Sequence, residues 1–151
     1  MRPRTLALAL TACALCLQAR ADSWADSLAG LYLTVDGGAQ VSVTKGADGT
    51  FSGRIVWLKE DKDRLDKNNP DPAHRPDRVL GLVILKGVSP NADSRRWEGG
   101  TIYDPKNGKT YDCFIWRDPD RPGVLFLKGY VLGITWLGRS TTWTEERVQR
   151  K

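Results

Sequence analysis

Beyond residue 30 the chain alternates short apolar and polar runs with clusters of turn residues, and no stretch sustains the 3.6-residue period of an amphipathic helix. Eight strands are predicted: Gly30 to Thr34, Gln40 to Thr44, Thr50 to Leu58, Val79 to Leu85, Trp97 to Tyr103, Thr110 to Arg117, Leu125 to Val131 and Arg139 to Thr144. The third shows the logic, because Phe51, Gly53, Ile55 and Trp57 fall on one face while Ser52 and Arg54 fall on the other. Val79 to Leu85 is apolar on both faces, the pattern of a strand covered on both sides. Asp36-Gly37-Gly38, Gly46 to Gly49, Asp104 to Gly108 and Asp118 to Gly123 carry the Pro, Asn, Asp and Gly of tight turns, so consecutive strands are expected to pair as antiparallel hairpins. Glycines inside the strands (Gly53, Gly81, Gly99, Gly100, Gly129) suit a sheet that bends into a small closed barrel; a two-sheet sandwich is the alternative. Ser23 to Leu28 reads as a helical turn, and Leu132 to Leu137 as a short non-strand segment.

The N-terminus follows a different pattern. Arg2 and Arg4 precede an apolar run from Leu6 to Leu17, and Ala19-Arg20-Ala21 supplies small residues for a peptidase. This is the three-part form of a secretory signal peptide over residues 1–21, leaving residues 22–151 as a single barrel domain. The run is shorter than the roughly 20 residues needed to span a bilayer as a helix, so no transmembrane segment is predicted. Leu10-Thr11-Ala12-Cys13 also fits a lipoprotein signal, which makes a lipid anchor at Cys13 the alternative to cleavage after Ala21.

Removing the leader changes the charge and the cysteine count. Without Arg2, Arg4 and Arg20, 20 basic side chains face 18 acidic ones, so the formal charge falls from +5 to +2 and nucleic acid is not an expected partner. Arg147, Arg150 and Lys151 belong to a polar tail read as a solvated end. Cys13 and Cys16 leave with the leader, and the remaining Cys113, beside Phe114 and Ile115, is expected to be buried and inert.

Little in the sequence points to catalysis. His74 is the only histidine and sits between prolines in the charged connection from Lys59 to Arg78, whereas a triad needs a positioned, buried base. That connection also holds Asp61, Asp63, Asp66, Asn68, Asn69 and Asp71, but an EF-hand beginning at Asp66 would place Asp71 where glycine is required, and Lys62, Arg64 and Lys67 interleave. The cluster therefore reads as turns and solvated charge, with no metal or cofactor expected. A hydrolase acting on envelope glycans would need two carboxyl groups about 5–10 Å apart in a cleft. The aromatic residues offer more: six tryptophans and four tyrosines are available to pack the barrel or to line a cavity.

Several blocks carry a family resemblance. Asp66 to Pro72, Gly81 to Leu85, Trp97 to Tyr111, Gly129-Tyr130 and Leu137 to Trp143 resemble, in order, the exported bacterial proteins catalogued as domain of unknown function 2147. Gly30 to Thr34 and Gly53 to Leu58 fit as well. The resemblance implies an eight-stranded antiparallel, lipocalin-like (calycin-type) barrel and a periplasmic location, and no established activity. Tyr32 stands where the family usually has tryptophan, and the polar stretch between the first two strands is shorter, which bears on the packing of the barrel's closed end.

The expected function is non-enzymatic binding of a small hydrophobic or amphipathic ligand inside the barrel. Trp57, Tyr103, Tyr111, Trp116 and Trp136 are the candidate ligand-facing residues, with Asp66, Asn69, Asp104 and Arg139 as polar partners at the mouth. The alternative is a solid barrel whose 59–78 loop contacts an envelope protein or glycan.

Overall fold

The structure, a computed structural model, describes residues 24–151; the expected leader of residues 1–21, with Cys13 and Cys16, lies outside the described residues. A helical turn at 24–26 leads into eight strands, β1 (Gly30–Thr34), β2 (Ala39–Lys45), β3 (Phe51–Leu58), β4 (Val83–Asn91), β5 (Arg96–Asp104), β6 (Lys109–Arg117), β7 (Val124–Val131) and β8 (Ile134–Glu146). They close in chain order into one antiparallel barrel, β8 returning to pair with β1.

Alternation decides what faces the core. Cys113 and Ile115 of β6 and Leu125 and Leu127 of β7 are buried, so the intervening Phe114, Trp116 and Phe126 project from the outer surface. In β3 the alternation is interrupted: Val41 pairs with Ile55 but Gln40 pairs with Trp57, leaving Val56 as a bulge. One extra residue reverses parity, so Trp57 shares the outer face with Gln40 instead of following Ile55 inward.

That outer patch is covered by the C-terminal tail. Gln40 is fully buried; its Nε2 donates to Glu146 Oε2 (2.8 Å) and to the Val148 carbonyl (2.9 Å), and its Oε1 accepts from the Arg150 N–H (3.0 Å). Trp57 Nε1 donates to the Lys151 carbonyl at 2.9 Å, with the Arg150 guanidinium over its ring at 5.2 Å. The tail is thus pinned to the barrel rather than solvated, because it supplies partners that the buried Gln40 amide requires.

The helical turn seals one end. Trp24 stacks on Trp97 at 4.9 Å, Trp97 Nε1 donates to the Ala25 carbonyl (2.9 Å), and the Tyr32 hydroxyl donates to the Leu28 carbonyl (2.9 Å). Arg117 donates to the Ser27 carbonyl (2.9 Å) and to the Tyr32 oxygen (3.0 Å). Tyr32 is thereby accommodated at the closed end with its hydroxyl bonded on both sides, and burial pushes its phenol up to about 12.

Two strands differ from the pattern-based expectation. β4 begins at Val83, because Gly81 adopts φ +99°, outside any strand geometry; Val79, though apolar, is buried by anchoring the preceding loop. β8 begins at Ile134 and takes in most of the segment expected to be irregular.

The 59–78 connection is ordered by its own polar groups. Leu65 and Arg78 form a β-bridge, the Asp66 N–H donates to the Asp77 carbonyl (2.8 Å), and the Val79 N–H donates to the Arg64 carbonyl (2.8 Å). Asp71 caps a 3-10 turn at Pro72–His74, accepting the Ala73 N–H at 2.9 Å. Asn68 Nδ2 donates to the Lys106 carbonyl (2.9 Å), docking the loop on the β5–β6 turn, and Gly108 lies so close beneath that a Cβ would overlap the Asn68 carbonyl.

Candidate functional site: the open end of the barrel

Opposite the sealed end the barrel opens into a cavity of about 790 Å³. Its position follows from register. Cross-strand partners share a face, so Arg139, Thr141 and Trp143 of β8 follow Gly129, Leu127 and Leu125 of β7 into the interior, and Ile102 pairs with Tyr111 across β5 and β6. The apolar part of the wall is built from Ile55, Leu58, Ile84, Ile102, Leu127 and Trp143. Towards the mouth it becomes polar, with Asp104 and Lys109 as cross-strand partners and Tyr111 accepting a bond from Asn107 Nδ2 at 3.0 Å.

The mouth carries an excess of positive charge. Lys106 bridges to Asp36 at 2.7 Å across the opening. That ammonium, together with the Thr34 hydroxyl and the Gly38 N–H, holds the Asp36 carboxyl well below the usual carboxylate range. Lys59, Arg64, Lys109 and Arg139 also line the cavity, and none of the four has an acidic partner within 4 Å among the described residues.

Of the residues singled out from sequence, Tyr103, Asp104, Tyr111 and Arg139 lie in the cavity wall. Asp66 and Asn69 stand behind it: Asp66 is fully buried, its Oδ1 accepting from the Tyr103 hydroxyl (2.7 Å) and its Oδ2 from Asn69 Nδ2 (2.7 Å). Burial, reinforced by the Asp66 carboxylate, raises the Tyr103 phenol well above its ordinary range, so the hydroxyl remains a donor. The three tryptophans are elsewhere. Trp57 lies outside under the tail, Trp116 stacks on Phe126 (5.3 Å) on the outer surface, and Trp136 is 78% exposed on β8. The bulge at Val56 explains the first, parity the second and a bulge in β8 the third. Trp143, Leu127 and Lys109 also line the interior; alternate positions back from Gly129 and Tyr111 lead to Leu127 and Lys109, and forward from Arg139 to Trp143.

The acidic cluster of the loop is absorbed locally: Asp63 pairs with Arg78 (3.0 Å), Asp77 with His74 (2.8 Å), Asp71 caps the 3-10 turn and Asp66 holds Tyr103. Among the described residues no three His, Cys, Asp or Glu side chains converge as metal ligands.

Comparison with known proteins follows the same outline. A family described as uncharacterized proteins conserved in bacteria, DUF2147, matches residues 30–145, from the first residue of β1 to the penultimate residue of β8. The chain belongs to this family. The DUF2147 barrel is similar to the solved structure of protein HP1028 from the human pathogen Helicobacter pylori, which belongs to the lipocalin family; the likeness has a TM-score of 0.68 at 24% identity and covers 80% of this chain and 83% of that one. At that identity the likeness establishes the lipocalin-type fold. Among curated proteins no sequence relative matches.

Proposed function

We propose that this DUF2147 protein is an exported, non-enzymatic binder of a small hydrophobic or amphipathic ligand, held in the barrel with its apolar part against Ile102, Leu127 and Trp143 and its polar end at the mouth. The observation that carries this reading is a cavity of about 790 Å³ with an apolar interior and a charged rim, in a barrel sealed at the other end. Ligand sites typically occupy about 300–1,000 Å³ and combine apolar walls with a few polar groups that fix orientation. The lipocalin-family neighbour supports the same reading at the level of fold. Export to the periplasm is supported by the leader pattern of residues 1–21.

The test is a titration with the apolar dye 1-anilinonaphthalene-8-sulfonate, comparing the wild-type protein with Thr141→Trp. Thr141 faces Leu127 on the inner side of β8, so a larger ring there fills the cavity without touching the outer surface. Saturable binding that weakens at least about tenfold in the variant is expected, because the indole occupies space that the dye needs against the apolar wall. Absence of saturable binding, or equal binding by both proteins, overturns the reading.

A further inference from the structure

The turn between β7 and β8 exposes apolar side chains that the fold gains nothing by exposing. Leu132 is 90% exposed, Trp136 78% and Leu137 57%, and Val131 beside them is also exposed. The backbone is arranged to put them there. Leu132 adopts φ +55°, a left-handed conformation that is unfavourable for a branched apolar residue. Val131 pairs with Ile134 and Gly129 pairs with Arg139, so Tyr130 alone faces the four residues 135–138. This wide bulge removes Trp136 and Leu137 from the ladder, and bulges at barrel rims commonly re-aim side chains.

The hairpin also stands clear of its neighbour. β1 pairs with β8 only from Trp143 to Glu146, so residues 134–142 are held from the β7 side alone. Val131, Leu137 and Arg139 line the cavity, which makes the hairpin part of its rim. Just behind the apolar tip stand the exposed cations Arg139 and Lys109; Lys109 lies across the ladder from Asp104, and neither cation has an acidic oxygen within 4 Å among the described residues.

We infer that the β7–β8 hairpin is a membrane-docking element, its Leu132, Trp136 and Leu137 side chains entering the interfacial zone of a bilayer containing anionic lipid while Arg139 and Lys109 meet the headgroups. Charge complementarity selects this occupant: tryptophan is favoured at the membrane interface, and basic residues near an anionic surface add to the attraction. A narrow projecting hairpin is poorly shaped for a protein partner, which needs roughly 800 Å² of contiguous surface on each side, whereas lipid surrounds an inserted tip from every direction. Docking in this orientation turns the cavity mouth towards the bilayer. The inference rests on the hairpin and does not require that the cavity be occupied.

The purified protein is floated with vesicles of phosphatidylethanolamine containing one-third phosphatidylglycerol, and separately with phosphatidylcholine vesicles. Tryptophan emission is followed with brominated acyl chains in the bilayer. Flotation with the anionic vesicles that falls as salt is raised is expected, together with quenching that is lost in Trp136→Phe. The double variant Leu132→Ser, Leu137→Ser should bind at least about tenfold more weakly, since it withdraws two apolar side chains from the interface. Both positions are exposed, and an unchanged thermal midpoint and far-ultraviolet circular dichroism spectrum establish that the variants are folded. Failure to float, flotation indifferent to these substitutions, or quenching that persists in Trp136→Phe overturns the inference. So does a self-associated form that the same substitutions dissolve while no vesicle binding is seen, which would assign the tip to a second copy of the chain.

Discussion

Replacing Asp66 by alanine tests whether the 59–78 loop is held by one buried carboxylate. Asp66 is fully buried and accepts from the Tyr103 hydroxyl and from the Asn69 amide, each at 2.7 Å, with no cation among its partners. Hydrogen bonds to a charged group contribute about 1.5–3 kcal/mol each, and a donor left buried without an acceptor costs a similar amount. Removing the carboxylate also relieves the cost of burying it, which offsets part of the loss. The expected net destabilisation by Asp66→Ala is about 3 kcal/mol, a large fraction of the roughly 5–15 kcal/mol that holds a domain together. With a urea slope near 2 kcal/mol per molar, the midpoint should fall by about 1.5 M. Tyr103→Phe should cost about half as much, because Asp66 keeps its Asn69 bond. In a double-mutant cycle the two changes should couple by about 1–2 kcal/mol, since residues sharing one hydrogen bond do not behave additively. Limited trypsin digestion supplies a local readout: Lys62, Arg64, Lys67 and Arg78 all lie in the loop, and their cleavage should accelerate in Asp66→Ala before the barrel unfolds. A midpoint within about 0.5 M of wild type, or strict additivity with Tyr103→Phe, would refute the argument.

Three further outcomes are expected. Because the folded Asp36 carboxyl lies below its unfolded value of about 3.9, its contribution is complete above that pH and is lost as pH falls towards the folded value; urea midpoints of wild type and Asp36→Asn should therefore converge between about pH 5 and pH 2. Cys113 is buried and its thiol is pushed up to about 12, chiefly by that burial, so peptide mass mapping should find it unmodified by a maleimide at pH 7.5 until denaturant is added. Leu132→Gly should stabilise the fold by roughly 0.5–1 kcal/mol, because relief of a left-handed leucine exceeds the added backbone entropy of glycine; calorimetry reads the gain, and the same change should weaken vesicle flotation.

What the sequence disclosed depended on whether local rules held. β1 and β6 were legible to within a residue because turn chemistry brackets them and their alternation is unbroken. The start of β4 was obscured by a continuous apolar run from Val79 to Leu85 that serves two purposes, anchoring the loop before Gly81 and entering the sheet after it. Alternation points Trp57 inward; it is valid through Ile55 and fails at Val56, where nothing in the residue types announces a bulge. Trp116 was different: parity with Cys113 and Ile115 already pointed it outward, and aromatic content was the wrong guide. The charges of the 59–78 loop looked solvated because sequence alone cannot show that Tyr103, on a distant strand, delivers a hydroxyl to Asp66. At the mouth, Asp104, Tyr111 and Arg139 were found as individual residues, whereas the unpaired cations beside them emerge only once three strands are placed in register.

The seam between β1 and β8 has a consequence for how the barrel forms. Seven of its eight ladders join neighbours in the chain and can zip as hairpins, but the eighth brings Leu31 to Glu146, 115 positions later. Closing so long a loop is slow compared with hairpin formation, and the seam is expected to form last. Until it does, the nascent meander presents two bare edges that any second chain can match strand for strand. The tail at 147–151, strapped from β8 across β1 to Gln40 and Trp57, is then a latch: it sets how often the finished barrel reopens and how readily neighbouring molecules exchange strands.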